Sequence, residues 1–368
     1  MITFLKKRAV FCAASLCAII SCFFVPPSKA YLSYIDLHTL AVLFALMASV
    51  AGLENCGLFR TLAVRLCTLV HTTRALACVL VFLCFFSSMF ITNDVALIAF
   101  VPFALMLFGV QQGLSPAYIA YVIVLQTVAA NTGSMLTPVG NPQNLFLYTK
   151  TGMPLPDFML ILLPYTLVCA LLLALSLLAV PKVPLTALGS PNTRTHVSPW
   201  RKTLYGILFL LCLLSVAKLI PKPLLALIVL IVVLIFDART LFRVDYFLLL
   251  TFVAFFIFSG NIAAIPAVRS LLESCVQQHE LAASLLASQV ISNVPATLLL
   301  YPFVGNVKNL LLGVNFGGLG TLVASLASLI SFTMYTKSGR RGGEYLVLFT
   351  LVNVIFLGLL LLVSQLFQ

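Results

Sequence analysis

Acid is scarce in this chain: aspartate and glutamate together number 9 among 368 residues, and charged residues of all kinds make up 8%. That shortage argues against hydrolytic chemistry. An intramembrane hydrolase needs a paired aspartate, a Ser–His arrangement or metal-binding histidines. Asp94 has no second acid at its depth, and the 4 histidines fall near loops. No GxxxxGK[ST] segment occurs, so ATP use would need a separate subunit. The 10 cysteines include no CxxC pair. Cys12, Cys17, Cys78, Cys84, Cys169 and Cys212 lie inside apolar runs, where thiols act as small hydrophobes rather than as a disulfide framework or metal ligands. A basic stripe is missing too. The formal net charge is +12, but the bases are scattered between apolar runs, without the aromatic interleaving of a nucleic-acid surface.

What fills the chain is hydrocarbon: 62% of residues are hydrophobic and the mean hydropathy is +1.16. The fold class that follows is an all-α polytopic membrane protein. Runs of spanning length fall at 9–25, 36–53, 116–130, 158–180, 203–219, 223–237, 245–262 and 344–366, with broken or paired runs at 75–108 and 281–336. Lys6-Lys7-Arg8, an apolar core and Ser28-Lys29-Ala30 imitate a cleaved signal peptide. An uncleaved first helix is the preferred reading, because residues 9–25 are long enough to span.

Basic residues orient these runs. With the N-terminus in the cytoplasm, Lys6, Lys7, Arg8, Arg60, Arg65, Arg74, Lys182, Arg194, Arg201, Lys202, Arg239, Arg243, Lys337, Arg340 and Arg341 fall inside, as the positive-inside rule asks. Lys29, Lys150, Lys218, Lys222, Arg269 and Lys308 fall outside. This division arises only if 75–108 and 281–304 are hairpins that enter and leave on one face, which makes them re-entrant candidates.

Two stretches repeat. ITNDVALIAFVPF at 91–103 parallels ISNVPATLLLYPF at 291–303, and the later YTKTG at 148–152 parallels YTKSG at 335–339. In the threading above one hairpin opens to the cytoplasm and the other to the outside, so the copies are inverted. Inverted repeats with broken helices characterise secondary transporters, whose site lies where the copies meet. The expected organisation is a first transmembrane repeat at 1–180, a cytoplasmic linker at 181–202, a connecting helix at 203–222 and a second, inverted repeat at 223–368. Within the linker, His196 and Trp200 read as interfacial.

Each repeat carries a polar break where hydrocarbon-spanning helix is expected. Unsatisfied backbone at membrane depth survives only where it is buried in protein or lines a watery cavity. In ANTGSMLTPVGNPQNLFLYTK, 130–150, Pro138 and Pro142 block the helix and Gly133 and Gly140 let the backbone turn. Asn131, Thr132, Ser134, Thr137, Asn141, Gln143 and Asn144 supply oxygens and amides. In GVNFGGLGTLVASLASLIS, 313–331, Gly317, Gly318 and Gly320 unwind the chain while Asn315, Thr321, Ser325 and Ser328 supply polar groups. The hairpin tips add Thr92-Asn93-Asp94 and Ser292-Asn293. Freed carbonyls can strip water from a cation, and half-helix N-termini can hold an anion. Asp94 is the one acid deep in a hairpin; such placement costs about 2.5–3.5 kcal/mol on insertion scales and marks function by default.

ITND with VPF, TPVGNPQNLFLY, SNVPATLLL and GxLGTLVASLASL together resemble the ion transporter superfamily. That group includes citrate and dicarboxylate carriers, arsenical pump membrane proteins and NhaD-type sodium/proton antiporters. The resemblance implies inverted repeats with re-entrant hairpins, whose tips and unwound helices bind sodium and substrate; Asn93 and Asn293 would be the tip asparagines, preceded by Thr92 and Ser292. Asp94 and Val294 depart from the dicarboxylate pattern, which has threonine there. The function expected is an ion-coupled secondary transporter, driven by sodium or protons, moving a small anionic solute, carboxylate or oxyanion. An NhaD-like cation/proton antiporter is the alternative, with a channel or an intramembrane enzyme behind it. No cofactor beyond the coupling ion and no nucleic acid is expected; the partners are solute, coupling ion and lipid, and a homodimer stays open. The expected location is the bacterial inner membrane.

Overall fold

The computed structural model describes residues 9–109, 111, 114–185 and 199–366, and its elements there are helices. Lys6, Lys7, Arg8 and the linker residues Arg194 and His196 lie outside the described residues. In chain order the helices are α1 (Ala9–Phe24), α2 (Ala30–Tyr34), α3 (Leu37–Asn55), α4 (Leu58–Cys67), α5 (Thr73–Ser87), α6 (Asn93–Gly109), α7 (Pro116–Ser134), α8 (Pro142–Thr151) and α9 (Leu155–Leu177). There follow α10 (Pro199–Val216), α11 (Lys222–Asp237), α12 (Tyr246–Ala264), α13 (Pro266–Val276), α14 (Glu280–Ile291), α15 (Asn293–Leu300), α16 (Val307–Phe316), α17 (Leu326–Lys337) and α18 (Gly342–Leu366). Among the described residues, 6 helices are long and apolar enough to cross a membrane. The chain is an all-α polytopic membrane protein.

Local sequence explains the succession. α3 and α12 are each 19 residues long and each begins at an aspartate cap. Asp36 Oδ1 accepts from the amides of His38 and Thr39, and Asp245 Oδ1 from those of Phe247 and Leu248, which satisfies amides that a helix start leaves open. A short one-sided helix follows each, α4 and α13. Then come the helix pairs α5/α6 and α14/α15, the interrupted pairs α7/α8 and α16/α17, and the long apolar α9 and α18. The YTKTG and YTKSG words end α8 and α17, and their glycines, Gly152 (φ 64°) and Gly339 (φ 81°), adopt the left-handed conformation that stops a helix.

The core sits around α7. Every residue from Val122 to Ser134 is buried, because α5, α6, α9, α17 and α18 surround it. The run at 116–130 is therefore long enough to span but faces protein. α3 packs on α10 and α11, and α12 on α1, where Phe11 meets Phe247 edge-on at 5.3 Å.

Candidate functional site

Each hairpin tip is pinned to the break of its own half. The amide N–H of Asn93 donates to the Gly140 carbonyl at 3.1 Å, and that of Asn293 to the Ala324 carbonyl at 3.0 Å. The two side chains then turn inward alike: Asn93 Oδ1 accepts from the Asp94 amide at 3.0 Å and Asn293 Oδ1 from the Val294 amide at 2.9 Å. Ser292 reaches its tip at φ 74°, a strained value for a non-glycine residue.

The breaks are shorter than the polar runs suggest. α7 stays helical through Ser134, so the unwound part is 135–141, and α16 stays helical through Phe316, leaving 317–325. Gly133 is therefore no turning point, contrary to the expectation. It lies inside α7, where an added Cβ would strike the carbonyl oxygen of Phe85 and crowd Ser88 Oγ at 2.7 Å. Gly317 occupies the matching place, with Ser288 Oγ 2.7 Å from its would-be Cβ. Both glycines serve close helix approach. Gly140 has the carbonyl of Ser134 where a side chain would begin, and Gly318 faces Asn293 Nδ2 at 3.1 Å.

Across the two halves six polar residues lock reciprocally. Asn131 Oδ1 accepts from Ser325 Oγ (3.0 Å) while its Nδ2 donates to Ser328 Oγ (3.2 Å). Asn315 Oδ1 accepts from Asn141 Nδ2 (3.2 Å) while its Nδ2 donates to Asn144 Oδ1 (2.7 Å). Ser325 and Asn141 are the N-cap residues of α17 and α8, and each bonding partner set is spaced by three residues. The asparagine before one break thus reads the helix start after the other. Asn93 Nδ2 joins at Asn131 Oδ1 (3.0 Å), and Asn131 Nδ2 also reaches the Gly318 carbonyl (3.3 Å).

Beside this clasp lies a cavity of about 20 Å³ lined by Asn93, Asp94, Pro142, Gln143, Leu248, Asn293, Val294, Ser325 and Leu326. Apart from Leu248, in the first turn of α12, these are the first residues or caps of α6, α8, α15 and α17, so four helix N-termini converge on one small space. Helix N-termini carry partial positive charge and free N–H groups, which favours an anion there. The Asp94 carboxylate, the Gln143 amide and Asn293 Nδ2 make no side-chain hydrogen bond among the described residues and keep capacity for a ligand. Asp94 is also within electrostatic reach of Asp245, the cap of α12.

The structure therefore gathers Asn93, Asp94, Asn131, Gly140, Asn141, Asn144, Asn293, Asn315, Gly318 and Ser325. Other anticipated residues are occupied locally. Thr132 Oγ1 donates to Val128 O (2.7 Å), Ser134 Oγ to Asn131 O (2.9 Å), and Thr137 Oγ1 to Met89 O. Ser292 Oγ donates to Ala324 O (3.3 Å), and Thr92 and Gly317 border the tips without lining the cavity. Thr321 is exposed and donates to Gln289 O (3.0 Å). Gln289 itself went unforeseen: its Nε2 donates to the carbonyls of Gly317 and Leu319, both at 2.9 Å, and so holds the second break open. A lone amide four residues before the tip asparagine was the available signal.

Comparison with known proteins decides the affiliation. Residues 1–314 match the citrate transporter family CitMHS. The chain belongs to that family. This citrate transporter family member is 34% identical over 318 residues to "Inner membrane protein YbiR" of Escherichia coli (strain K12), covering 85% of this chain and 84% of that one. It is 30% identical over 294 residues to "Uncharacterized transporter MJ0456" of Methanocaldococcus jannaschii, covering 78% of each. A shorter match, 35% over 140 residues, joins it to "Silicon efflux transporter LSI3" of Oryza sativa subsp. japonica, covering 38% of this chain and 28% of that protein. It is a transporter rather than an enzyme.

Proposed function

We propose that this transporter is an ion-coupled secondary carrier that moves a small anion, a carboxylate or oxyanion, by alternating access between two inverted repeats. The observation that carries the reading is the convergence of four helix N-termini on the cavity between the two tips and the two breaks. At about 20 Å³ that cavity has room for one water or one bare ion, so this conformation is closed at its centre and the solute enters when the halves separate. The family description, citrate transporter, and the silicon efflux name of one relative both suit an oxygen-rich solute.

Asp94 bears on coupling. A carboxylate standing where helix N-termini favour an anion competes with a solute anion for the same potential, and protonation removes the competition. That supports proton coupling, with sodium held by Asp94 as the other arm. A second reading, cation/proton exchange of the NhaD type, rests on the same carboxylate. Uptake of citrate, phosphate, arsenite and silicic acid by proteoliposomes under imposed proton or sodium gradients tests all three. Gradient-driven uptake of citrate or phosphate is expected, and uptake of arsenous or silicic acid alone, both uncharged near neutral pH, would instead point to a neutral oxygen-rich solute. Cation exchange with no uptake of any of them would overturn the anion reading. The expected setting is a bacterial inner membrane with the N-terminus in the cytoplasm.

A further inference from the structure

A second, larger cavity lies away from the tips. It measures about 390 Å³ and is bounded by Tyr34, Phe146, Lys150, Phe256, Ser259 and Tyr301, from α2, α8, α12 and α15 with the turn after it. Ligand cavities begin at about 300 Å³. Three features give it a chemical character. Ser259 is buried (4% exposed) and its hydroxyl has no hydrogen-bond partner among the described residues. Such a group is costly unless something enters to bond it. Lys150 brings a cation to the wall, with its Nζ 3.8 Å from Asp36. Two further lysines stand nearby: Lys222 is within electrostatic reach of Asp36 and of Lys218, and Lys218 Nζ donates to Met153 O (3.0 Å) just past the end of α8. Lys150 and Lys222 therefore stand round one carboxylate with Lys218 beside Lys222, and these three lysines are among the six bases that the positive-inside pattern leaves on the outer side. Bases placed against that pattern need another reason, and a basic flank to a largely apolar cavity with Lys150 in its wall supplies one by raising the local concentration of anions.

We infer that this cavity is an outer subsite for the same small oxyanion or carboxylate, held by Lys150 and the Ser259 hydroxyl before it reaches the tips. The inference rests on the anion reading above for its solute, but its recognition chemistry is testable without transport. The protein carries a single engineered thiol, Ser259→Cys, or Ala263→Cys on the same wall should the first fail to fold, with its native cysteines replaced. It is reconstituted in phosphatidylcholine vesicles. An anionic methanethiosulfonate reagent, ethylsulfonate, is compared with its trimethylammonium counterpart, each rate normalised to that with free thiol. The anionic reagent should react severalfold faster, Lys150→Gln should abolish the preference, and millimolar citrate or phosphate should slow labelling. Equal rates, or a preference that survives Lys150→Gln, would overturn the subsite. Slowing that appears only when phosphatidylglycerol is added, and never with citrate or phosphate, would assign the cavity to lipid headgroups and overturn it as a solute site. If the protein exchanged cations only, uptake assays would fail while the charge preference persisted, so the two readings fail separately.

Discussion

Asn131 uses every bonding position its amide has: two acceptances at Oδ1 and two donations from Nδ2. Satisfied so fully, it is a positioning residue that fixes both breaks, while the groups left open to a ligand are Asp94, Gln143 and Asn293. Removing one partner from a buried pair leaves the other unsatisfied, at about 1–3 kcal/mol. Asn131→Ala should therefore lower the melting temperature of the purified protein, and the Asn131/Ser325 double variant should lose less than the sum of the singles; strict additivity would deny the clasp. Asp94→Asn keeps shape and hydrogen bonding but cannot titrate. If protons couple transport, this change should flatten the pH profile of uptake while solute still binds. If sodium does, it should raise the sodium needed for half-maximal uptake and leave the pH profile intact. Wild-type responses to both would reduce Asp94 to a first-turn acid of α6. That these residues lie in interrupted, protein-buried helix was legible in composition alone, since amides and prolines together have no place in lipid-facing helix. Their pairing was not, because Asn131 and Ser325 are 194 positions apart and a chain read in order cannot show which amide meets which hydroxyl.

At the scale of elements the hairpins and breaks depend on anchors as much as on their tips. Glu280, the first residue of α14, is buried and ties the base of the second hairpin to the loop before α16. Its Oε1 accepts from the amides of Gly305 (2.6 Å) and Asn306 (2.7 Å), and its Oε2 from Asn309 Nδ2 (3.2 Å). The sequence reading passed over it, since an acid beginning an apolar run looks like an interfacial residue. Bonds to an ionised acceptor contribute about 1.5–3 kcal/mol each, so Glu280→Ala should destabilise the protein clearly and Glu280→Gln less. Equal melting temperatures for Glu280→Ala and the parent would refute the anchor. The same scale explains the miss at Gly133: glycine in a polar run reads as a turn, whereas its use here is contact between α7 and α5. Gly140→Leu and Gly318→Leu should abolish uptake while membrane insertion persists, because each would put side-chain atoms where the Ser134 carbonyl or the Asn293 amide already sits. Unchanged uptake in both would mean that the breaks merely pack.

For the whole molecule, the order of elements recurs from α1 to α9 and again from α11 to α18, with α10 between. The resemblance of the halves does not by itself fix how each lies in the bilayer. Charge supports the inverted arrangement we propose: if one hairpin opens inward and the other outward, the bases divide as the positive-inside rule asks. The exchanged packing of α1 on α12 and α11 on α3 fits such an arrangement, since each half lends its first helix to the other. His71 stands just before α5 and Gln277 just before α14, at corresponding points of the two halves, and both are exposed. Single cysteines at these positions, in a protein depleted of its own, should react with a membrane-impermeant maleimide from opposite sides: His71→Cys only after the cytoplasmic face is opened, and Gln277→Cys in intact cells. Reaction of both from one side would make the halves parallel, and parallel halves could not bring both sets of half-helix ends to the membrane centre from opposite faces.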